Sequence, residues 1–251
     1  MRTTPRTLAV DIGGSSIKAS VLDASGSMLA ERVVVATPYP CPPAILVGSI
    51  ATLATELPAF ERVSVGFPGV VRAGRVLSAP EFVKVGGLGT ALDPGLVDAW
   101  ADYDLAGAVS QTLGRPTRVA NDADVQGLGV IAGLGLELVI TLGTSVGTGL
   151  FEDGRLAPHM EFAHHPFRDG ETYYQQLGDA ARKRISDTQW NIRVKHAVET
   201  LDALFFFDHV YVGGGNSAWV TADLGPKASI VDNAAGILGG VKLWDQDRGT
   251  E

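Results

Sequence analysis

Two stretches of this chain share one pattern, and that pattern constrains the fold more than any other feature. TLAVDI–GGSS–IKASVLD at 7–23 and ELVITL–GTS–VGTGLFEDGRL at 137–156 each read as an apolar strand, a glycine turn and a second strand. Their turns stand about 130 residues apart. A glycine turn placed directly after a buried strand lets several backbone N–H groups converge on one anion. An internal duplication that presents two phosphate-facing hairpins to one cleft is the plan this implies. The strand–turn–strand opening is a meander, unlike the strand–turn–helix of a dinucleotide fold. A third glycine turn, Gly213–Gly214–Gly215, follows the apolar run HVYV.

The intervening elements fit a two-lobed α/β protein. Strands are expected at 7–12, 17–23, 28–37 and 62–69, with a proline-rich loop at 37–43. Helices are expected at 44–57 and at 105–114, the latter capped by Gly114, and a short strand over 118–120 leads into NDAD. Later helices are expected at 172–186 and 190–207, and a last one closes the chain over 236–251. A chain of 251 residues is long for one core and sufficient for two. The expected domains are residues 1–120, with 236–251 packing back on them, and residues 121–235.

Composition excludes several classes. No apolar run approaches about 18 residues, so no membrane span is expected. Asp11 interrupts the first apolar stretch too early for a signal peptide, which makes the cytoplasm the default location. Cys41 is the single cysteine, which rules out an intrachain disulfide and a multi-cysteine zinc site. The net charge of −8 and the lack of long basic runs argue against nucleic acid as a partner.

Individual residues suggest phosphoryl chemistry. Asp11 ends a strand beside a glycine turn, a position that suits magnesium held through water. Lys18 could neutralise phosphate charge. NDAD at 121–124 reads by itself as an ordinary Asn–Asp turn. In a chain with three glycine turns it also supplies a carboxylate able to take a hydroxyl proton during transfer. The run Arg182–Lys183–Arg184 reads as a solvated helix face or as a track for a long anion.

These residues resemble the ROK (repressor, open reading frame, kinase) family of sugar kinases. DIGGSSIK is similar to its first phosphate motif, GFPGVV to its sugar-side loop and NDAD to its catalytic motif. LGTSVGTGL resembles its second phosphate motif, and VGGGNS its nucleotide-side motif. The stretches EFAHHPFRDGETYYQQLGDAARKRI and ALFFFDHVYVGGGN look most like the polyphosphate glucokinase branch. The resemblance implies an actin-like ATPase fold, each lobe a mixed β-sheet with flanking helices. It implies a kinase that phosphorylates a hexose, glucose at its 6-hydroxyl, from polyphosphate or ATP with magnesium. Asp122 matches the catalytic base. Asn121, Glu161 and His164 match sugar ligands, and Gly69 belongs to the sugar-side loop. Asp11, Gly13, Gly14, Ser15, Lys18, Gly143, Thr144, Ser145, Gly213, Gly214 and Gly215 match the donor side. A homodimer is also implied, and the FFF run at 205–207 could be interface or core.

The chain departs from the family at several positions. The cysteine-rich zinc motif is missing, so no zinc is expected, and Glu171 stands as a replacement for the sugar-binding glutamate of that motif. Ala163 and Ser145 occupy positions where the family prefers glycine, and Ser145 must avoid positive φ or accept strain. The rival reading is a non-catalytic sugar- or nucleotide-sensing regulator on the same fold. Its DNA-binding relatives carry a helix-turn-helix ahead of the first phosphate strand, which here starts near residue 7.

Overall fold

Two apolar runs separated by a glycine turn produce a hairpin. β1 (Thr7–Ile12) and β2 (Ser16–Leu22) pair antiparallel around the Gly13–Ser15 turn in a computed structural model, which describes residues 5–87, 89–232 and 237–246. β3 (Val33–Ala36) continues the meander but is shorter than the 28–37 expected. The carboxylate of Asp23 accepts from the amides of Ser25 and Ser27, and Leu29 N–H donates to Val21, so the chain turns before it joins the sheet edge. α1 (Pro43–Thr55) starts at a proline, where a missing N–H does no harm. β4 (Arg62–Phe67) returns parallel to β1.

Residues 70–98, opaque as sequence, hold a small antiparallel sheet and a helix. β5 (Val71–Arg72), β6 (Arg75–Val76) and β7 (Tyr103–Asp104) pair in that order. α2 (Pro94–Trp100) is capped by Asp93, which accepts from the Leu96 amide at 3.1 Å. α3 (Leu105–Leu113) ends at Gly114 in the left-handed conformation. β8 (Thr117–Asn121) pairs parallel with β4 and completes the sheet order β3-β2-β1-β4-β8. α4 (Asp122–Val130) begins at the end of that strand. Phe67, Phe82 and Trp100 meet with ring centroids 5.3–5.6 Å apart and anchor the core of this sheet. The Trp100 indole donates to the Cys41 carbonyl at 2.9 Å. Burial pushes the Cys41 thiol up to about 12. The native protein should therefore leave a thiol reagent such as DTNB unreacted at pH 8 and react with one equivalent after denaturation; one fast equivalent in the folded state would contradict the burial.

The second sheet repeats the first. β9 (Leu136–Leu142), β10 (Val146–Glu152) and β11 (Arg155–Leu156) form an antiparallel meander. β12 (Pro166–Arg168) and β13 (Glu171–Thr172) make a separate hairpin. The helix expected over 172–186 is two helices, α5 (Tyr173–Leu177) and α6 (Asp179–Arg184). Gly178 separates them with an extended backbone, and a Cβ there would lie 2.7 Å from the Thr144 carbonyl. α7 (Asp187–Phe205) is capped by Ser186 and packs on α5 and α6. β14 (His209–Gly213) and β15 (Ala228–Ile230) add parallel strands, giving the order β11-β10-β9-β14-β15. Both sheets therefore run antiparallel, antiparallel, parallel, parallel. Phe207 is core, Phe205 packs edge-on to Phe162, and Phe206 is 79% exposed.

The chain then returns to the first sheet. α8 (Gly239–Lys242) is four residues long, where a helix over 236–251 was expected; residues 236 and 247–251 lie outside those described. Ile237 and Val241 pack on Ala9 and Leu22. A Cβ at Gly239 would fall inside the Val125 carbonyl, and one at Gly240 would lie 3.0 Å from Ala9 Cβ. Ser64 donates to the Gly240 carbonyl at 2.5 Å, and the Trp244 indole donates to Ser64 at 2.9 Å. The guanidinium groups of Arg62 and Arg118 both lie over the Trp244 ring. The glycines that permit this contact are poor helix formers, which accounts for the short helix. The chain divides into two compact units, Met1–Gly129 with Gly236–Glu251, and Val130–Ala235. The division falls later than residue 120 because β8 is a strand of the first sheet and α4 grows out of it.

Candidate active site

The first glycine turn is held from one side. Thr37 Oγ1 donates to the Gly13 carbonyl at 2.6 Å, and the Tyr39 hydroxyl donates to the Gly14 carbonyl at 2.9 Å. Gly13 N–H closes the turn on the Ser16 carbonyl at 2.9 Å, while the N–H groups of Gly14 and Ser15 meet no acceptor among the described residues. Asp11 faces Lys18 across the hairpin, with Nζ 3.8 Å from Oδ2. Burial pushes the Asp11 carboxyl above its ordinary range, and Lys18 and Arg32 pull the other way.

Asn121 builds the NDAD turn. It is 4% exposed, and its Oδ1 accepts from the amides of Ala123 at 2.8 Å and Asp124 at 3.3 Å, which caps α4. Its Nδ2 donates to the Gly69 carbonyl at 3.0 Å and, more weakly, to Phe67 at 3.5 Å. The resemblance implies Asn121 as a sugar ligand. Its amide is engaged with the protein at both ends, which shapes the turn that presents Asp122. Gly69 admits no side chain, because its Cα packs on the Ser78 carbonyl. Asp122 opens α4 beside Gly66, where a Cβ would lie 3.3 Å from the Asp122 Cα. Gly66 is also the register partner of Asp11. Asp11 and Asp122 consequently line one cleft, with Ser64, Gln126 and Gly240.

The second unit carries its own set. Gly143 N–H closes a turn on the Ser145 carbonyl at 2.9 Å, and the N–H groups of Thr144 and Ser145 again meet no acceptor among the described residues. Ser145 is not among the residues with positive φ, so its backbone avoids the strain that a serine would meet there. The third glycine turn lies against the second. Gly214, at φ +87°, packs on Leu142, the Asn216 amide donates to the Leu142 carbonyl at 2.8 Å, and Asn216 Nδ2 donates to Gly143 at 3.2 Å. Gly213 is the last residue of β14, and Gly215 borders open space. Glu161 and His164 sit at the two ends of a short 3₁₀ turn, with His164 exposed. Burial pushes the Glu161 carboxyl up, but the neighbouring His159, the Ala163 amide and His164 together hold it below the usual range. His159 Nε2 lies 3.9 Å from Glu161 Oε2.

Two other candidates are tied up locally. Glu171 accepts from the Gln176 amide and lies 3.9 Å from Arg184. In the basic run, Arg182 and Lys183 both reach Asp179, at 3.2 and 2.5 Å, and the Arg182 guanidinium stacks over Trp219. Among the described residues, no group of three or more His, Cys, Asp or Glu side chains could hold a metal. No helix among them is long and apolar enough to cross a membrane.

The profile of the ROK family matches residues 7–163, from β1 into the Glu161–His164 turn. The chain belongs to the ROK family. Polyphosphate glucokinase of Mycobacterium leprae (strain TN) is 28% identical to this ROK chain over 251 residues, spanning 93% of this chain and 73% of that protein. The crystal structure of an inorganic polyphosphate/ATP-glucomannokinase from Arthrobacter sp. strain KM has a TM-score of 0.80 at 30% identity, and covers 97% of this chain and 100% of the other. A ROK family glucokinase from Streptomyces griseus, crystallised with glucose and AMPPNP, has a TM-score of 0.71 at 22% identity, with coverage of 95% and 98%. The fold is that of the actin-like ATPases.

Sequence reasoning missed some of the residues that make these turns. Thr37 and Tyr39 stand in the proline-rich loop, and nothing local marks them as props for a turn two dozen residues earlier. His159 precedes Glu161 by two residues, a spacing that gave the only available hint.

Proposed function

We propose that this hexose kinase transfers a phosphoryl group to the 6-hydroxyl of glucose from polyphosphate, with ATP as a weaker or parallel donor. The observation that carries this reading is the cleft lined by both Asp11 and Asp122, beside the turn whose Gly14 and Ser15 amides meet no acceptor among the described residues. A sugar hydroxyl is a poor nucleophile, and Asp122 is the group assigned to take its proton. The start of α4 fixes that carboxylate, and the Asn121 cap fixes the start of α4. Amides of the Gly13–Ser15 and Gly143–Ser145 turns are assigned to the donor's phosphoryl oxygens, and Lys18 to its charge. Glu161 and His164 are assigned to hexose hydroxyls. A single desolvated carboxylate fits a magnesium ion that keeps most of its waters, so Asp11 would hold it; when bound, the ion supplies charge neutralisation on the donor. The names of the relatives support a hexose substrate and both donors.

A coupled assay of glucose phosphorylation with each donor tests the reading: product should form with both, faster with polyphosphate. Absence of product from polyphosphate removes the donor assignment. The basic run has no part in this reading, because Asp179 already holds Arg182 and Lys183 and Glu171 lies beside Arg184. Changing Arg182, Lys183 and Arg184 together to alanine should leave polyphosphate use and its salt dependence within about twofold of wild type. A marked loss confined to polyphosphate would restore the run as a track. Light scattering at micromolar concentration tests the homodimer, to which Phe206 is the residue of the FFF run able to contribute surface.

A further inference from the structure

One side chain in the cleft has hydrogen-bonding capacity that the fold does not use. Four polar side chains line that cleft, Asp11, Ser64, Asp122 and Gln126, among alanine, valine, isoleucine and glycine. The Ser64 hydroxyl is engaged twice, donating to the Gly240 carbonyl and accepting from the Trp244 indole. Asp122 Oδ1 accepts from the Ala123 amide at 2.9 Å, and Asp11 faces Lys18. The Gln126 amide is half-buried and meets no hydrogen-bond partner among the described residues. Its carbonyl oxygen and its two N–H donors are left for something that enters the cleft.

The seating of α4 sets where that amide stands. Gln126 follows Asp122 by four residues, which puts both side chains on one face of the helix. The start of the helix presses on β4 at Gly66, where a Cβ would lie 3.3 Å from Asp122 Cα and 3.7 Å from Val125 Cβ. Gly239 of α8 covers the Val125 carbonyl, so the residue before Gln126 is held from two sides. The helix thus brings one neutral amide to a hollow that two carboxylates already share. A third carboxylate there would add repulsion, whereas an amide oxygen accepts a proton without adding charge. This set suits a hydrated divalent cation. Magnesium keeps several of its waters, and each of those waters needs an acceptor. Asp11 is one acceptor, and Asp122 is reserved for the hydroxyl proton.

We infer that Gln126 is a positioning residue for the donor's magnesium ion, its Oε1 accepting from one of the ion's waters beside Asp11. This rests on the kinase reading above. The test uses the full chain with Gln126→Leu and Gln126→Glu. The probe is Mn²⁺, its enzyme-bound form followed by EPR with tripolyphosphate or AMPPNP present and glucose absent. Leucine keeps the bulk and removes the acceptor. Mn²⁺ affinity should fall about 10-fold or more, and the magnesium concentration that gives half-maximal turnover should rise in step, with metal-free glucose affinity within about twofold of wild type. Glutamate keeps an acceptor and should hold Mn²⁺ at least as tightly as the wild type. Unchanged Mn²⁺ affinity in Gln126→Leu overturns the inference while the kinase reading stands. A loss in Gln126→Glu as large as in Gln126→Leu marks a packing role and overturns it equally. A wild-type protein that phosphorylates no hexose with either donor overturns both.

Discussion

Replacing Asp122 by asparagine should lower turnover by about 10²- to 10⁴-fold and leave glucose affinity within a few-fold of wild type. The substitution keeps shape and hydrogen bonding and removes only the capacity to accept a proton. Asparagine is also compatible with the start of α4, since Asn121 supplies the cap and an amide oxygen at position 122 can keep the bond from the Ala123 N–H. Coupled-assay turnover and calorimetric glucose binding check the two halves of the statement. Near-normal turnover would remove Asp122 from the chemistry. By contrast, Asn121→Ala should perturb fold and rate together, because it frees the cap and the link to Gly69 at once.

The largest stability effect is expected at Glu137, in the second unit. This buried carboxylate accepts from the backbone amides of Ala132, Gly133 and Leu134 and from the Tyr211 hydroxyl, at 2.7–3.1 Å. Glu137→Ala leaves that set of donors without their acceptor and should cost about 3–5 kcal/mol. For a chain of this size that corresponds to a fall in Tm of about 10 °C. Glu137→Gln should recover little, since one of its two terminal atoms becomes an N–H group facing other N–H groups. Urea denaturation followed by circular dichroism measures both variants. A loss below about 1 kcal/mol for alanine would show that water satisfies those amides without help.

What the sequence made legible was the repeat. Both hairpins, their glycine turns and the strand before NDAD follow from alternation and turn chemistry, which are local. The elements that were misread depend on contacts between residues far apart. α5 and α6 form one amphipathic stretch until the Thr144 carbonyl demands a bare backbone at Gly178. α2 hides in a glycine-rich segment, although Asp93–Pro94 is a start signal that could have found it. α4 contains Gly127 and Gly129 and has weak helix propensity, so nothing around NDAD announces a helix until Asn121 caps it. In the candidate site, motif residues such as Asp11 and Asp122 could be read from the chain. The part Asn121 plays in tying α4 to the neighbouring loop could not be read, because the partners of its amide, Phe67 and Gly69, lie more than 50 positions away in sequence.

The return of residues 237–246 to the first sheet has a bearing on how the protein is made. One wall of the cleft beside Asp11 and Asp122 is Ile237 and Gly240, which the ribosome delivers after the whole second unit. The second unit can assemble as soon as it emerges, since its stretch of chain is continuous. The first sheet must meanwhile wait on the ribosome with Ala9, Leu22, Ser64 and the Trp244-binding arginines uncovered. Nascent chains stalled before residue 237 should therefore be protease-sensitive in the first unit and resistant in the second, and competence for phosphoryl transfer should arise only once residues 237–246 have emerged.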